Sequence, residues 1–216
     1  RIVVFSVTKG FVAMALHLLA ERGDLQWDAP VATYWPGFAR AGKERITVRT
    51  LMNHRGGLAA LDRPLKLDDC TQSDRWHVVR EAMEAQRPLW EPGEGQGYHA
   101  LTFGMYAREL FTRITGESMN AYLRRELFEP LGSDVYLSTP ASEDARMATL
   151  YPPRNRDRVS AMLRAMVTAP KSTEARLARK VLAPNSLPRA AFGNPSVGRR
   201  GLAVYNELPV RRAELP

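Results

Sequence analysis

Apolar residues recur every three to four positions over several long stretches of the chain, which is the periodicity of amphipathic helices. The best-defined stretch begins at Ser6 and ends at Arg22, where Gly23 supplies a helix stop. Residues that favour helix N-caps precede two others, as Thr47 and Ser118 do. The pattern predicts helices over residues 6–22, 48–53, 73–86, 101–115 and 118–129.

Strand-like segments are scarce. Residues 2–5 form the best candidate and residues 135–137 a weaker one. Residues 159–183 have a helical composition, whereas residues 184–201 are rich in Pro, Gly, Asn and Ser and are predicted to be loop. We therefore predict a mainly helical chain. Because it begins without methionine and offers too few strands for a sheet, we expect an incomplete fragment whose N-terminus is missing.

Positive charge is concentrated towards the C-terminus. Residues 1–153 carry 18 Lys and Arg against 19 Asp and Glu, residues 154–216 carry 13 against 4, and the net charge is +8. A basic segment of this kind can attract phosphates. The arginines are scattered, however, and few aromatic residues lie among them to stack on bases. We predict a solvated basic surface and no nucleic-acid partner.

Cysteine usage, histidine spacing and hydropathy argue against several other classes of protein. Cys70 is the one cysteine, which excludes an internal disulfide and a cysteine-based zinc site. A free thiol is compatible with a reducing compartment and slightly favours the cytoplasm. The four histidines form no His-Glu-x-x-His pattern, and no stretch reaches the roughly 20 apolar residues of a membrane span. We predict no membrane span, no metal and no organic cofactor.

Ser6 and Lys9 carry the first candidate chemistry. Residues three apart share a helix face, so the hydroxyl and the amine are expected one turn apart. A serine needs a neighbouring base to act as a nucleophile, and a lysine among apolar residues such as Phe5 and Phe11 can lose its proton near neutral pH. The helix N-terminus would also favour negative charge at the serine. The alternative is that Ser6 only caps the helix.

Tyr98 is the second candidate. It follows residues 92–97, a loop that holds three glycines, and it precedes a predicted helix. Glycine-rich backbone can project a side chain into a cleft, and a tyrosine beside a lysine ammonium ionises more easily and can act as a general base. The alternative is a half-buried aromatic residue with a hydrogen-bonded hydroxyl.

Together these segments resemble the serine β-lactamase and penicillin-binding-protein superfamily, in particular its esterase-like branch near the class C β-lactamases. The likeness covers about residues 1–140, and several ordered segments with family-like spacing are far more specific than any one alone. Five segments carry the resemblance: residues 5–10, 23–31, 46–58, 92–100 and 115–132. Residues 5–10 resemble the family's nucleophile segment, and residues 23–31 resemble the connector that follows it. Residues 46–58 are similar to the family stretch that ends in His-Thr-Ser-Gly-Leu, and residues 92–100 are similar to the segment that holds Tyr-x-Asn.

The resemblance implies an α+β fold of the β-lactamase/DD-peptidase type, with a helical lobe packed on an antiparallel sheet lobe and the site between them. Residues 1–216 would form one partial domain of this kind, holding most of the helical lobe. Ser6 would attack the carbonyl of a small-molecule ester or amide and form an acyl-enzyme, with Lys9 and Tyr98 sharing the base role. Coupled groups titrate as a unit, so the sequence does not apportion that role between them.

Two departures from the family pattern bear on the substrate. Ala100 stands where the resemblance expects an asparagine that holds an acylamido side chain, and alanine offers no such hydrogen bond, which favours the esterase branch. The family's third motif, Lys-Thr-Gly or His-x-Gly, supplies an oxyanion-hole N–H. Lys-Thr-Gly is absent from the chain and no histidine follows His99. Losing one oxyanion donor lowers the rate by about 10²–10³.

We therefore predict a serine hydrolase, a carboxylesterase acting on small esters. The alternatives are a β-lactamase or DD-peptidase acting on amides, a catalytically inactive relative, and a nucleic-acid-associated protein that uses the basic end. His54 and His99 lie beside the family motifs but on neither the nucleophile nor the base position, so we expect structural roles for both. The sequence makes no prediction of the oligomeric state.

Overall fold

Helices make up the regular secondary structure of the computed structural model, which describes residues 1–215. An isolated antiparallel bridge joins Pro30 and Thr47. The α-helices are α1 (Thr8–Glu21), α2 (Val31–Tyr34), α3 (Val48–Met52), α4 (Leu67–Thr71), α5 (Trp76–Ala85), α6 (Thr102–Thr115), α7 (Met119–Leu123), α8 (Asn155–Thr168), α9 (Thr173–Leu182), α10 (Leu187–Gly193) and α11 (Leu208–Arg212). Tighter or wider helical turns occupy Phe5–Val7, Pro36–Gly42, Ser73–Arg75, Arg124–Phe128, Ala141–Arg146 and Gly198–Asn206.

The predicted starts of two helices and the predicted stops of two others are confirmed. Thr47 and Ser118 cap α3 and α7, each side-chain oxygen accepting a hydrogen bond of 3.1 Å from the N–H three residues on. Helices α1 and α6 end just before Gly23 and Gly116, whose φ angles of 85° and 74° lie in the left-handed region that glycine adopts without steric cost. These signals act over four residues or fewer, which is why sequence alone located them.

Four predictions of secondary structure are wrong, and two of them are the predicted strands. Residues 2–5 and 135–137 are not strands, because neither segment pairs with another strand within residues 1–215. Residues 184–201 are not all loop, since Ser186 caps α10 by accepting from the N–H of Arg189 at 3.3 Å, and a proline enters the first turn. The helix predicted over residues 73–86 begins as α5 three residues later, after a 3₁₀ turn.

Helix α6 lies at the centre of the apolar core and packs against α1, α2, α3, α5 and α7. Its aromatic residues Tyr106 and Phe111 are fully buried, as are Val12 and Leu16 of α1. Burying an apolar side chain of this size contributes about 1.5–3 kcal/mol. The core thus fixes the first turn of α1 relative to the start of α6, and Ser6 and Tyr98 lie just before these two helices.

A buried lysine joins the turn Pro36–Gly42 to the end of α5. The Nζ of Lys43 donates to the carbonyl oxygens of Arg40, Glu84 and Gln86 at 2.7, 2.8 and 2.6 Å. Burial lowers the pKa of Lys43 to about 8. Three short bonds to backbone oxygens satisfy the three donors of an ammonium group, so Lys43 serves as a polar clamp inside the fold.

Lys43→Met is expected to lower the free energy of unfolding by about 2–3 kcal/mol, because the three carbonyl oxygens would be left buried without a donor. Urea denaturation followed by circular dichroism measures this loss. Arg45→Met, at an exposed neighbouring position, is the matched control and should change stability by less than about 0.5 kcal/mol. Equal stability of Lys43→Met and the wild type would show that the clamp contributes nothing.

The basic end of the chain contains a helical hairpin in which α8 packs on α9, and α9 packs on α10. Part of its charge is engaged within the molecule: Arg212 pairs with Asp144 at 2.7 Å, and Arg211 donates to the side-chain oxygen of Asn206 at 3.1 Å. The absence of a nucleic-acid partner stays a prediction.

Cys70 lies inside α4 and is only 2% exposed. Burial raises the pKa of its thiol to about 12. The reactive thiolate is therefore scarce at neutral pH, and the side chain behaves as a small apolar core residue.

Candidate functional site

Ser6 and Lys9 meet at the beginning of α1. Ser6 lies in the 3₁₀ turn Phe5–Val7, and Lys9 is the second residue of the helix that follows. The Nζ of Lys9 is 3.5 Å from the Oγ of Ser6. The serine makes no side-chain cap bond to either helical segment, so the alternative in which it only caps the helix has no support in the geometry. The hydroxyl is exposed, which is the first requirement of a nucleophile that must meet a substrate.

The Lys9 amine is held between the two chain segments that the sequence singled out. Its Nζ donates to the carbonyl oxygen of Ala100 at 2.8 Å. It also lies 5.2 Å from the ring centroid of Tyr98 and 5.6 Å from that of Phe103, within the range of cation–π attraction. Lys9 is half-buried, and these contacts aim its amine at Ser6 on one side and at Tyr98 on the other.

Tyr98 presents its side chain at the surface beside this amine. It is 44% exposed, and its hydroxyl makes no hydrogen bond to another residue within the described part of the chain. The alternative of a half-buried tyrosine with a satisfied hydroxyl is therefore not what the structure shows. The Tyr98 ring faces the Lys9 amine at 5.2 Å, and a phenol on such a ring can exchange a proton with the amine, directly or through a water.

The loop that carries Tyr98 is fastened to residues 54–57. Backbone bonds run from Leu89 N to Gly57 O (2.8 Å), from Gly93 N to Arg55 O (3.0 Å) and from Gly97 N to His54 O (3.0 Å). Glycine is required at position 57, where φ is 73° and a Cβ atom would lie 2.8 Å from the Trp90 carbonyl oxygen.

Glycine is also required at position 97, because a Cβ there would overlap the Trp90 indole. The loop glycines therefore serve close packing around Trp90 as well as the exposure of Tyr98.

Two histidines lie behind the loop. The ring of His54 is 5.0 Å from that of Tyr98 and 5.2 Å from that of His99. Burial and the positive charge of Lys9 lower the pKa of His54. Burial, with smaller contributions from His54 and Lys9, lowers the pKa of His99 to about 3. Both rings are therefore neutral at physiological pH, which keeps additional positive charge away from the Lys9 amine.

The structure adds three contacts that sequence reasoning missed: the Ala100 carbonyl and the Phe103 ring at Lys9, and the His54 ring at Tyr98. Phe103 was detectable in principle, because it is an aromatic residue on the first turn of α6, close in sequence to Tyr98. Ala100 contributes its main chain, and no side-chain pattern reports which carbonyl will face an amine. Its own side chain is buried and adds no hydrogen-bonding group to the site.

Phe103 also borders a cleft of about 210 Å³ between α1 and α3. Other residues along this cleft are Ala13, His17, Trp27 and Met52. A larger depression of about 480 Å³ lies on the α8–α9 hairpin and includes none of the candidate catalytic residues. Of these two cavities, the smaller one therefore shares Phe103 with the surroundings of Lys9.

Within residues 1–215, no cluster of three or more His, Cys, Asp or Glu side chains is arranged to hold a metal ion. Over the same range, no helix combines the length and the apolar character needed to cross a bilayer. The polar groups that Ser6, Lys9 and Tyr98 bring to the site are a hydroxyl, an amine and a phenol.

A helical lobe in which a Ser-x-x-Lys pair opens a core helix is characteristic of serine hydrolases with the β-lactamase fold. Comparison with known families agrees: the model of the Beta-lactamase family matches residues 1–207. The chain belongs to the β-lactamase family.

A known relative and a solved structure both align with most of this chain. The esterase/β-lactamase LipL of Mycobacterium tuberculosis is 41% identical over 158 residues, covering 70% of this chain and 35% of LipL. The structure of EstA from Arthrobacter nitroguajacolicus Rue61a superposes with a TM-score of 0.76 at 32% identity, covering 98% of this chain and 50% of EstA.

A family VIII carboxylesterase structure superposes with a TM-score of 0.64 at 35% identity, covering 86% of this chain and 48% of that enzyme. The chain therefore spans between about a third and a half of the length of these relatives. The resemblance found in the sequence and the predicted fold class are confirmed. The division into one partial domain over residues 1–216 stays a prediction.

Proposed function

We propose that this chain carries the nucleophile and the bases of a carboxylesterase that forms an acyl-enzyme on small esters. The observation that supports it most is the position of the Lys9 amine, 3.5 Å from the Ser6 hydroxyl and facing the Tyr98 ring at 5.2 Å. Nucleophile and base must lie within reach of each other before any pKa argument matters. LipL and the family VIII carboxylesterase, two relatives whose names include esterase, add support of a second kind.

In the proposed reaction the Ser6 hydroxyl loses its proton to the Lys9–Tyr98 pair while its oxygen bonds to the ester carbonyl carbon. The resulting tetrahedral intermediate breaks its bond to the alcohol oxygen, which takes the proton back and leaves as the alcohol. A water molecule then attacks the acyl-enzyme and gives a proton to the same pair. Collapse of that second intermediate returns the proton to Ser6 and releases the acid.

Esters are favoured over β-lactams because the site lacks a side-chain amide at position 100. Ala100 is buried, and its carbonyl already accepts from Lys9. A substrate amide that relied on a side-chain donor at this position would be left without a partner, and sites reject polar groups that they cannot pair. The amide-hydrolysing alternative therefore requires a donor from somewhere else in the protein.

The protein, expressed from its complete reading frame, is expected to hydrolyse p-nitrophenyl butyrate with a kcat/KM at least about 10² times that for nitrocefin. Steady-state absorbance assays of both substrates measure this ratio. Intact-mass spectrometry after fluorophosphonate treatment should show one covalent adduct, and peptide mapping should place it on the peptide that contains Ser6. Comparable turnover of the two substrates would favour the β-lactamase alternative. Absence of both turnover and labelling would favour an inactive relative.

A further inference from the structure

The two backbone amides that flank Tyr98 both donate to one residue. Gly97 N donates to the carbonyl oxygen of His54 at 3.0 Å, and His99 N donates to Nδ1 of the same histidine at 3.2 Å. Tyr98 is the residue between them, and its ring lies 5.0 Å from the His54 imidazole. His54 therefore holds the tyrosine from the N-terminal side, from the C-terminal side and through its ring.

His54 adopts an unusual backbone conformation to make these bonds. Its φ angle is 65°, in the left-handed region, which only a few per cent of non-glycine residues adopt, with asparagine, aspartate and histidine enriched among them. This conformation directs the carbonyl and the imidazole of one residue to amides two positions apart in the facing loop. Strained backbone persists where the surrounding structure fixes it, and it concentrates at functional sites.

The bond from His99 also fixes the protonation state of His54. An imidazole nitrogen accepts a hydrogen bond only when it carries no proton, so Nδ1 must be bare and Nε2 must hold the hydrogen. Lys9 from α1 faces the ring with a positive charge, His99 and Tyr98 face it from the loop, and Phe103 from α6 completes its aromatic surroundings 5.3 Å away. Burial among these rings and the nearby positive charge both favour the neutral form of the His54 imidazole.

We propose that His54 is the positioning residue of the catalytic base, holding Tyr98 towards Lys9 by binding the amides on both sides of it. The proposal rests on the proposed esterase function for its kinetic consequences, whereas the hydrogen bonds can be tested without any substrate. His54 itself does not touch the reacting atoms in this account. Its effect on the rate comes from the precision with which the phenol is placed, and a shift of about 1 Å can cost 10²-fold.

Two variants of His54 separate the effect of its hydrogen-bond acceptor from the effect of its backbone conformation. Asparagine and glycine both tolerate the left-handed φ of residue 54, but only asparagine places an oxygen where Nδ1 of the histidine lies. His54→Gly should lower kcat for p-nitrophenyl butyrate by about 10–100-fold with little change in KM. His54→Asn should restore kcat to within about threefold of the wild type.

The pH dependence of the esterase activity is a second test, because a purely structural role of His54 would not change it. Protonation would place a hydrogen on Nδ1 opposite the His99 N–H, so the bond would be lost and the activity of the wild type should fall on the acid side. Burial and Lys9 hold the pKa of His54 below its ordinary value of 6.5, and this acid limb therefore lies below that pH. His54→Asn, which has no titrating group there, should lack the contribution of His54 to the limb.

Hydrogen exchange followed by NMR tests the bonds independently of catalysis. The amides of Gly97 and His99 should exchange slowly in the wild type. The His99 amide should exchange about fivefold faster or more in His54→Gly and remain protected in His54→Asn. The ¹⁵N shifts of the wild-type His54 ring should report a bare Nδ1, a measurement that no folding defect of a variant can disturb.

The outcomes distinguish this inference from the proposed function. A protonated Nδ1 in the wild type, or equal kcat for His54→Gly and the wild type, would overturn the positioning role while leaving the esterase intact. An inactive wild type that nevertheless shows the protected amides and the bare Nδ1 would overturn the esterase and preserve the hydrogen-bonding role of His54.

Discussion

Ser6→Ala is expected to lower kcat for p-nitrophenyl butyrate by about 10⁴-fold or more and to abolish labelling by a fluorophosphonate. Removing the nucleophile of a serine hydrolase leaves only the rate that binding and transition-state hydrogen bonds provide. The variant should fold normally, since the Ser6 side chain is exposed and makes no cap bond to either helical segment. Initial rates at saturating substrate, measured beside thermal unfolding, provide the comparison.

Ser133→Ala is the matched control, because Ser133 is also exposed and lies just after a turn, remote in sequence from the candidate catalytic residues. Its activity should equal that of the wild type. Retention of wild-type activity by Ser6→Ala would show that the nucleophile lies elsewhere, and the proposed acyl-enzyme at position 6 would have to be abandoned.

Lys9→Met should lower kcat for the same ester by about 10³-fold, because the methionine fills similar space but cannot accept or return the serine proton. The amine lies 3.5 Å from Ser6 Oγ and 2.8 Å from the Ala100 carbonyl, so its loss removes both the proton carrier and a link to the Tyr98 loop. Single-turnover measurement of acyl-enzyme formation isolates the affected step.

Lys171→Met, at an exposed position of the segment between α8 and α9, controls for loss of a positive charge and should be fully active. Adding Tyr98→Phe to Lys9→Met should lower the rate by much less than Tyr98→Phe does alone, because groups that act as a unit are not additive. Additive losses would mean that Lys9 and Tyr98 act in separate steps, and full activity of Lys9→Met would exclude the lysine from the mechanism.

The parts of this fold that could be predicted from the sequence are those fixed by a few adjacent residues. Thr47 and Ser118 cap helices because their side chains reach an N–H three residues away. Gly23 and Gly116 stop helices because their own φ angles permit it. None of these features depends on a distant segment.

The two strand predictions were wrong because strand pairing depends on distant segments. Residues 2–5 have strand-like composition, but a strand exists only when a neighbour accepts its hydrogen bonds, and within residues 1–215 none does. Residue Arg1 instead forms ion pairs with Asp134 and Glu143, contacts across more than 130 residues that no local pattern encodes.

In the candidate site, too, the features set by adjacent residues were predictable from the local sequence pattern and those set by distant segments were not. The spacing of Ser6 and Lys9 is local, and the geometry brings the two together as the sequence indicated. The approach of Tyr98 to Lys9 was expected from a resemblance between ordered segments, since no spacing argument links residues so far apart. The amides on both sides of Tyr98 donate to His54 across more than 40 residues, and no local pattern encodes contacts of that kind.

The inert thiol of Cys70 makes the molecule convenient for optical study. Because this side chain is buried and its pKa is raised to about 12, a maleimide dye should not react with it. A cysteine introduced at Val167, which is 81% exposed on α8, would then be the sole attachment point for a fluorophore. Motions of the hairpin during turnover could be followed by single-molecule fluorescence without first removing a native cysteine.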